Sequence, residues 1–164
     1  MRLSQRAEAL GTENAFVVLA EVNRLVRGGA DIVSFCIGQP DFPTPVHVQD
    51  AAVAAIRAGR HGYTPSAGVD ELRAAAAASM GALRGFEIGA DEVVVGAGAK
   101  PFIGYTIASV TDYGAGDEVI FPVPGFPIYE SQITANGAVP VPLPLREARG
   151  FAFDPADLAA RIGP

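Results

Sequence analysis

The stretch Val93-Val-Val-Gly-Ala-Gly-Ala-Lys-Pro101 runs from three consecutive valines, through small residues, directly into a segment with helical spacing. A short apolar run followed at once by a helix is the pattern of a buried strand feeding a helix in an α/β layer. Backbone N–H groups at such a helix start lack partners within the helix, and the positive end of the helix dipole points the same way, so the turn can cradle an anionic group. Gly96 and Gly98 let the backbone approach closely. Taken alone, local physics favours a purely structural turn. The spacing is not that of a P-loop, because no Gly-Lys-Ser/Thr follows, and the third glycine of a dinucleotide fingerprint is absent.

Outward from this turn, strands and helices alternate. Helical spacing covers Ala15 to Val26, closed by Gly28 and Gly29, and Asp31 to Ile37 reads as a strand. After the proline-rich loop Gly38-Gln-Pro-Asp-Phe-Pro-Thr-Pro45, helices are expected over Val46 to Ala58 and Val69 to Leu83. Strands follow at Glu92 to Val95, Glu118 to Phe121 and Val139 to Leu145, with helices at Pro101 to Val110, Ile128 to Ala135 and from about Asp154. The pattern argues for an α/β fold with a mainly parallel sheet. In Val139-Pro-Val-Pro-Leu-Pro-Leu145 the prolines cannot donate to a ladder, which places this strand at an edge.

A second loop, Gly116-Asp-Glu-Val-Ile-Phe-Pro-Val-Pro-Gly-Phe-Pro-Ile-Tyr129, carries Phe126 on a proline-stiffened backbone. An aromatic ring held this way can stack on a planar ligand with little loss of entropy; otherwise Phe126 packs in the core.

Composition narrows the function classes. With 164 residues, of which 49% are hydrophobic, the chain can build a real core. Eighteen acidic against twelve basic residues give a net charge of -6, which argues against nucleic acid or an anionic membrane as partner. Cys36 is the sole cysteine and His47 and His61 the only histidines, so no internal disulfide and no metal site are expected. The opening MRLSQRAEAL is interrupted by charge, and no apolar run approaches the roughly 20 residues of a membrane span. A soluble, unprocessed, cytoplasmic protein is the expectation. Lys100 is the only lysine among twelve basic residues.

Four segments in order, Gly38-Gln-Pro-Asp-Phe, Tyr63-Thr-Pro-Ser-Ala-Gly68, Gly96-Ala-Gly-Ala-Lys-Pro-Phe102 and the loop from Gly116 to Tyr129, resemble the fold-type I aminotransferases of the aspartate aminotransferase superfamily, which depend on pyridoxal 5′-phosphate (PLP). The resemblance runs from about Asp31 to Pro164. It implies an incomplete large domain of the PLP-transferase fold over residues 46–164, preceded by an N-terminal arm or small-domain segment over residues 1–45.

Carried over by position, the resemblance implies that Gly98, Ala99 and Lys100 form the turn that binds the PLP phosphate, with Ala99 offering only its N–H. Phe126 falls where the family stacks an aromatic ring on the pyridine. Gly38 matches a glycine whose backbone touches the substrate carboxylate. Tyr63 matches a tyrosine that reaches across a homodimer to the neighbouring cofactor phosphate. No catalytic residue is implied, because the lysine that holds the cofactor covalently in the family has no matching position. Lys100 belongs at the phosphate end.

The implied function is part of a PLP-dependent aminotransferase, moving an amino group between an amino acid and a 2-oxo acid, with the chain alone inactive and its cofactor binding weak or absent. The alternative is a catalytically dead module of the same fold that acts by association or by binding a phosphorylated ligand. The expected partners are a second copy or a complementing C-terminal half. The amino-acid substrate is not legible from these residues.

Overall fold

In the computed structural model the described residues are 2–8 and 14–163. Two sequence readings reach further: residues 1, 9 and 10 of the charged opening stretch, and Pro164 at the close of the resemblance, lie outside the described residues. The chain divides into two compact units, one formed by Gly38–Ala97 and the other by the residues on either side of it.

The flanking unit contains α1 (Gln5–Glu8), α2 (Asn14–Arg27), α5 (Lys100–Val110), β1 (Glu118–Val123), α6 (Ile128–Ala135), β2 (Val139–Pro144) and α7 (Pro155–Ala159); α3 (Val46–Arg57) and α4 (Asp70–Arg84) belong to the other unit. The two strands pair in parallel, with Glu118 opposite Val139 and Val123 opposite Pro144. A parallel pair requires a crossover, which α6 supplies.

Prolines settle how β2 is used. The N–H of Val139 donates to the Asp117 carbonyl at 2.8 Å and that of Leu145 to the Val123 carbonyl at 2.7 Å. These bonds fix the parity, so odd-numbered residues of β2 face β1. Pro140, Pro142 and Pro144 turn their missing donors outward, where no strand pairs among the described residues. The carbonyl they expose is met from just beyond α7: the Arg161 Nε donates to the Pro142 oxygen at 2.7 Å. Arg146 and Asp157 pair at 2.7 Å and tie the same helix down, while the Asp154 side chain caps it by accepting from the Ala156 N–H at 2.9 Å. β2 is thus an edge strand, as its prolines require.

The core of this unit lies between the sheet and the helix pair α5 and α6. Ile107, Ile133 and Ala138 are buried together, with Ile103, Val119 and Phe121 packed against them. Ile133 is 1% exposed, and burial of such a side chain contributes about 1.5–3 kcal/mol.

In the Gly38–Ala97 unit, α4 starts with Asp70 and Glu71 in its first turn and stops at Gly85, which adopts φ +77, a left-handed conformation that glycine takes at low cost. The loop before α4 is pinned to the segment after it. The Val95 N–H donates to the Ala67 carbonyl at 2.9 Å, and the Arg73 Nε donates to the Val93 carbonyl at 2.9 Å. Gly68 sits at φ +104, and a Cβ there would come within 2.8 Å of the Val95 Cβ, so only glycine allows this approach.

Two expected strands are corrected. Asp31 to Ile37 and Glu92 to Val95 form no ladder; the second begins in a 3-10 turn at Ala90–Glu92 and continues as extended backbone, with Val93 at φ -108 and ψ 128. Apolar, β-branched residues supply strand propensity, but a strand also needs a partner, and neither segment has one among the described residues. The helices expected over 15–26, 46–58, 69–83, 101–110 and 128–135 are present within one or two residues of those limits.

Candidate functional site

Gly98 adopts φ +85, and open space lies where its Cβ would project. Backbone conformation alone therefore calls for glycine here. The chain turns through Gly98 into Ala99, the N-cap of α5, whose methyl group offers no side-chain cap. Pro101 occupies the first turn, where a missing N–H costs nothing. The Phe102 N–H is the one that first reaches back along the helix, donating to the Ala99 carbonyl at 3.1 Å. The positive end of an eleven-residue helix thus opens at Gly98 and Ala99.

Phe126 arrives from a different element. β1 ends at Val123, the Val123–Pro124 peptide is cis, and the loop crosses Gly125 and Pro127 before α6 begins at Ile128. A Cβ on Gly125 would fall on the Pro122 carbonyl oxygen, so the loop folds back on itself more tightly than any other residue would allow. The Tyr129 N–H donates to the Phe126 carbonyl at 3.0 Å and fixes the residue at the mouth of α6.

These two elements meet. The Lys100 ammonium lies over the Phe126 ring, 5.3 Å from its centroid, within the range of a cation–π attraction. On the α6 side, the Tyr129 ring meets the Phe126 ring at right angles, with centroids 5.8 Å apart and an interplanar angle of 89°. Phe126 nevertheless remains 37% exposed, so part of its ring is available to a ligand. Beside it, Ala99, Phe102, Ile103, Pro122 and Tyr129 are among the residues lining an apolar groove of ≈ 380 Å³.

Gly98, Ala99, Lys100 and Phe126, four of the residues singled out in the sequence, therefore fall in one unit, and Lys100 and Phe126 are in contact. Gly38 and Tyr63 belong to the other unit. Gly38 is exposed, with open space where a Cβ would project, and the Tyr63 ring is fully exposed on this chain. Sequence reasoning gave Tyr129 no role. The signal was there in its spacing, three residues beyond Phe126 at a helix start, where side chains fall on one face.

The chain belongs to the class I and II aminotransferase family, whose pattern matches residues 30–164. It is 34% identical over 160 residues to a probable aspartate/prephenate aminotransferase of Aquifex aeolicus, an alignment covering 98% of this chain and 40% of that protein. A probable aspartate aminotransferase of Streptomyces griseus is 36% identical over 160 residues, covering 97% of this chain and 74% of that protein. Among solved structures, the aspartate aminotransferase of Thermus thermophilus with maleate superimposes with a TM-score of 0.91 at 34% identity, covering 99% of this chain and 42% of that one. An alanine aminotransferase of Pyrococcus furiosus gives a TM-score of 0.89 at 28% identity, with 99% and 41% covered. The chain thus spans about two fifths of the length of most of these relatives, and its α/β architecture with a parallel sheet is theirs.

Proposed function

We propose that this chain supplies the phosphate-binding turn and the ring-stacking residue of a PLP-dependent aminotransferase that moves an amino group between an amino acid and a 2-oxo acid. The observation that carries this reading is the contact between Lys100 and Phe126, which brings the start of α5 and the ring at the mouth of α6 to one place. A phosphorylated planar ring needs an anion site and an aromatic face side by side, and these residues fit both needs.

Gly98 and Ala99 hold the phosphate through backbone N–H groups, and the Lys100 ammonium adds positive charge at the same end. Phe126 orients the pyridine ring by stacking and excludes water from one of its faces. When bound, PLP supplies an electron sink for the substrate's α-carbon. Lys100 is the sole lysine in the sequence and is engaged at the Phe126 ring, so it serves the phosphate end and not as the lysine that holds the cofactor covalently. The chain alone therefore binds the cofactor weakly at most, without covalent attachment, and does not turn over. In the dimer that this reading implies, Tyr63 reaches the partner's phosphate and Gly38 lies against the substrate carboxylate.

Pyridoxine 5′-phosphate, which has no aldehyde, tests this reading by equilibrium titration against pyridoxine. The phosphate compound should bind in the millimolar range and pyridoxine at least tenfold more weakly, while Phe126→Leu weakens the phosphate compound by about two- to tenfold. Equal binding of the two compounds, or an unchanged affinity in Phe126→Leu, would remove the basis for the assignment. With PLP at one equivalent, borohydride reduction should add no mass at Lys100.

A further inference from the structure

Phe126 can serve as a stacking surface only if its ring is already held at one angle. A phenylalanine on a loop loses freedom about two side-chain bonds when it stacks, and that loss weakens binding unless another group has fixed the ring beforehand. Among the described residues, a charge and a ring lie against it from different helices. Lys100 lies over it from the first residue of α5. Tyr129 meets it at 89° from the first turn of α6.

We propose that Tyr129 is a positioning residue that sets the orientation of the Phe126 ring, so that the face offered to a planar ligand is fixed by α6 before any ligand arrives. This rests on the reading of Phe126 given above. Tyr129 is suited to the task because it is itself fixed: its N–H donates to the Phe126 carbonyl at 3.0 Å, Pro127 holds φ at -58 between the two residues, and its half-buried ring lines the apolar groove with Phe102 and Ile133. The edge-to-face contact with Tyr129 is independent of the Lys100 contact, because it is made from a different helix and on a different part of the ring's surroundings.

Edge-to-face attraction arises from the ring quadrupole and does not need the hydroxyl. Tyr129→Phe should therefore keep the geometry, whereas Tyr129→Leu, which keeps apolar bulk without a ring, should lose it.

The test reads the ligand-free 164-residue chain by NMR with ring-labelled phenylalanine, the Phe126 signal being assigned by its loss in Phe126→Leu. In the unmodified chain the Phe126 and Tyr129 rings should give a mutual NOE, and the Phe126 ring protons should be displaced from their free positions by the neighbouring ring current. Tyr129→Phe should retain that displacement and Tyr129→Leu should lose it. The affinity for pyridoxine 5′-phosphate should fall about two- to tenfold in the leucine variant alone. Absence of the NOE in the unmodified chain, or an unchanged Phe126 signal in Tyr129→Leu, overturns the proposal. Should the leucine variant not fold, the NOE and the phenylalanine variant decide it. Because the ring signals are read without ligand, a chain that keeps them but ignores the phosphate compound contradicts the cofactor assignment and leaves the positioning role of Tyr129 intact.

Discussion

Gly125→Ala will displace the loop that carries Phe126. The new Cβ falls on the Pro122 carbonyl oxygen, and the Pro122 carbonyl carbon and Cγ lie 3.2 and 3.4 Å from it. These are backbone and ring atoms that cannot rotate away. Pro122, Pro124 and Pro127 each hold φ near one value, so the loop has few free torsions with which to absorb the shift. The strain must move Phe126 relative to Lys100, the contact on which the site depends. A loss of about 1–3 kcal/mol is expected from a methyl forced into a filled space. Urea denaturation should show the lower midpoint, and titration with pyridoxine 5′-phosphate should show binding lost. An alanine variant with unchanged midpoint and affinity would mean that the loop is far less constrained than its geometry implies.

Ile133→Ala should have the larger effect on stability. Ile133 is 1% exposed and belongs to the cluster with Ile107 and Ala138, backed by Ile103, Val119 and Phe121. Truncation leaves a cavity between α6 and the sheet that neighbouring side chains fill only in part, at a cost of about 2–5 kcal/mol, whereas Ile133→Val should cost about 0.5–1.5 kcal/mol. Against a total stability of about 5–15 kcal/mol for an ordinary domain, the alanine variant gives up a large share of what keeps this unit folded. Since α6 also carries Tyr129 and closes the loop of Phe126, ligand affinity should fall with stability. Denaturation midpoints of the two variants check the ratio; equal and small shifts in both would place Ile133 outside a closely packed core.

The helices were legible because their signals are local. Apolar spacing, the acidic first turn of α4 and the glycine at its end all act within a few residues. The edge position of β2 was legible for the same reason, since a proline removes a donor wherever it sits. Residues 31–37 and 92–95 misled because strand formation is not local. Val93 has the dihedral angles of a strand, yet its carbonyl meets the Arg73 side chain instead of a neighbouring strand. At the site, Gly98 and Phe126 could be named from the four-segment resemblance, but the contact between Lys100 and Phe126 joins residues far apart in sequence and only the fold brings it about. The close approach at Gly125 is equally invisible in sequence, because a glycine between prolines reads as an ordinary turn.

Amide and ring signals of the 164-residue chain, followed together while pyridoxine 5′-phosphate is added, put the whole account at risk in one titration. The N–H signals of Gly98, Ala99 and Lys100 should move along with the ring signals of Phe126, all saturating at one concentration of ligand. Movement confined to one of the two groups, or to residues elsewhere in the chain, would mean that the helix start and the aromatic ring do not serve a common ligand.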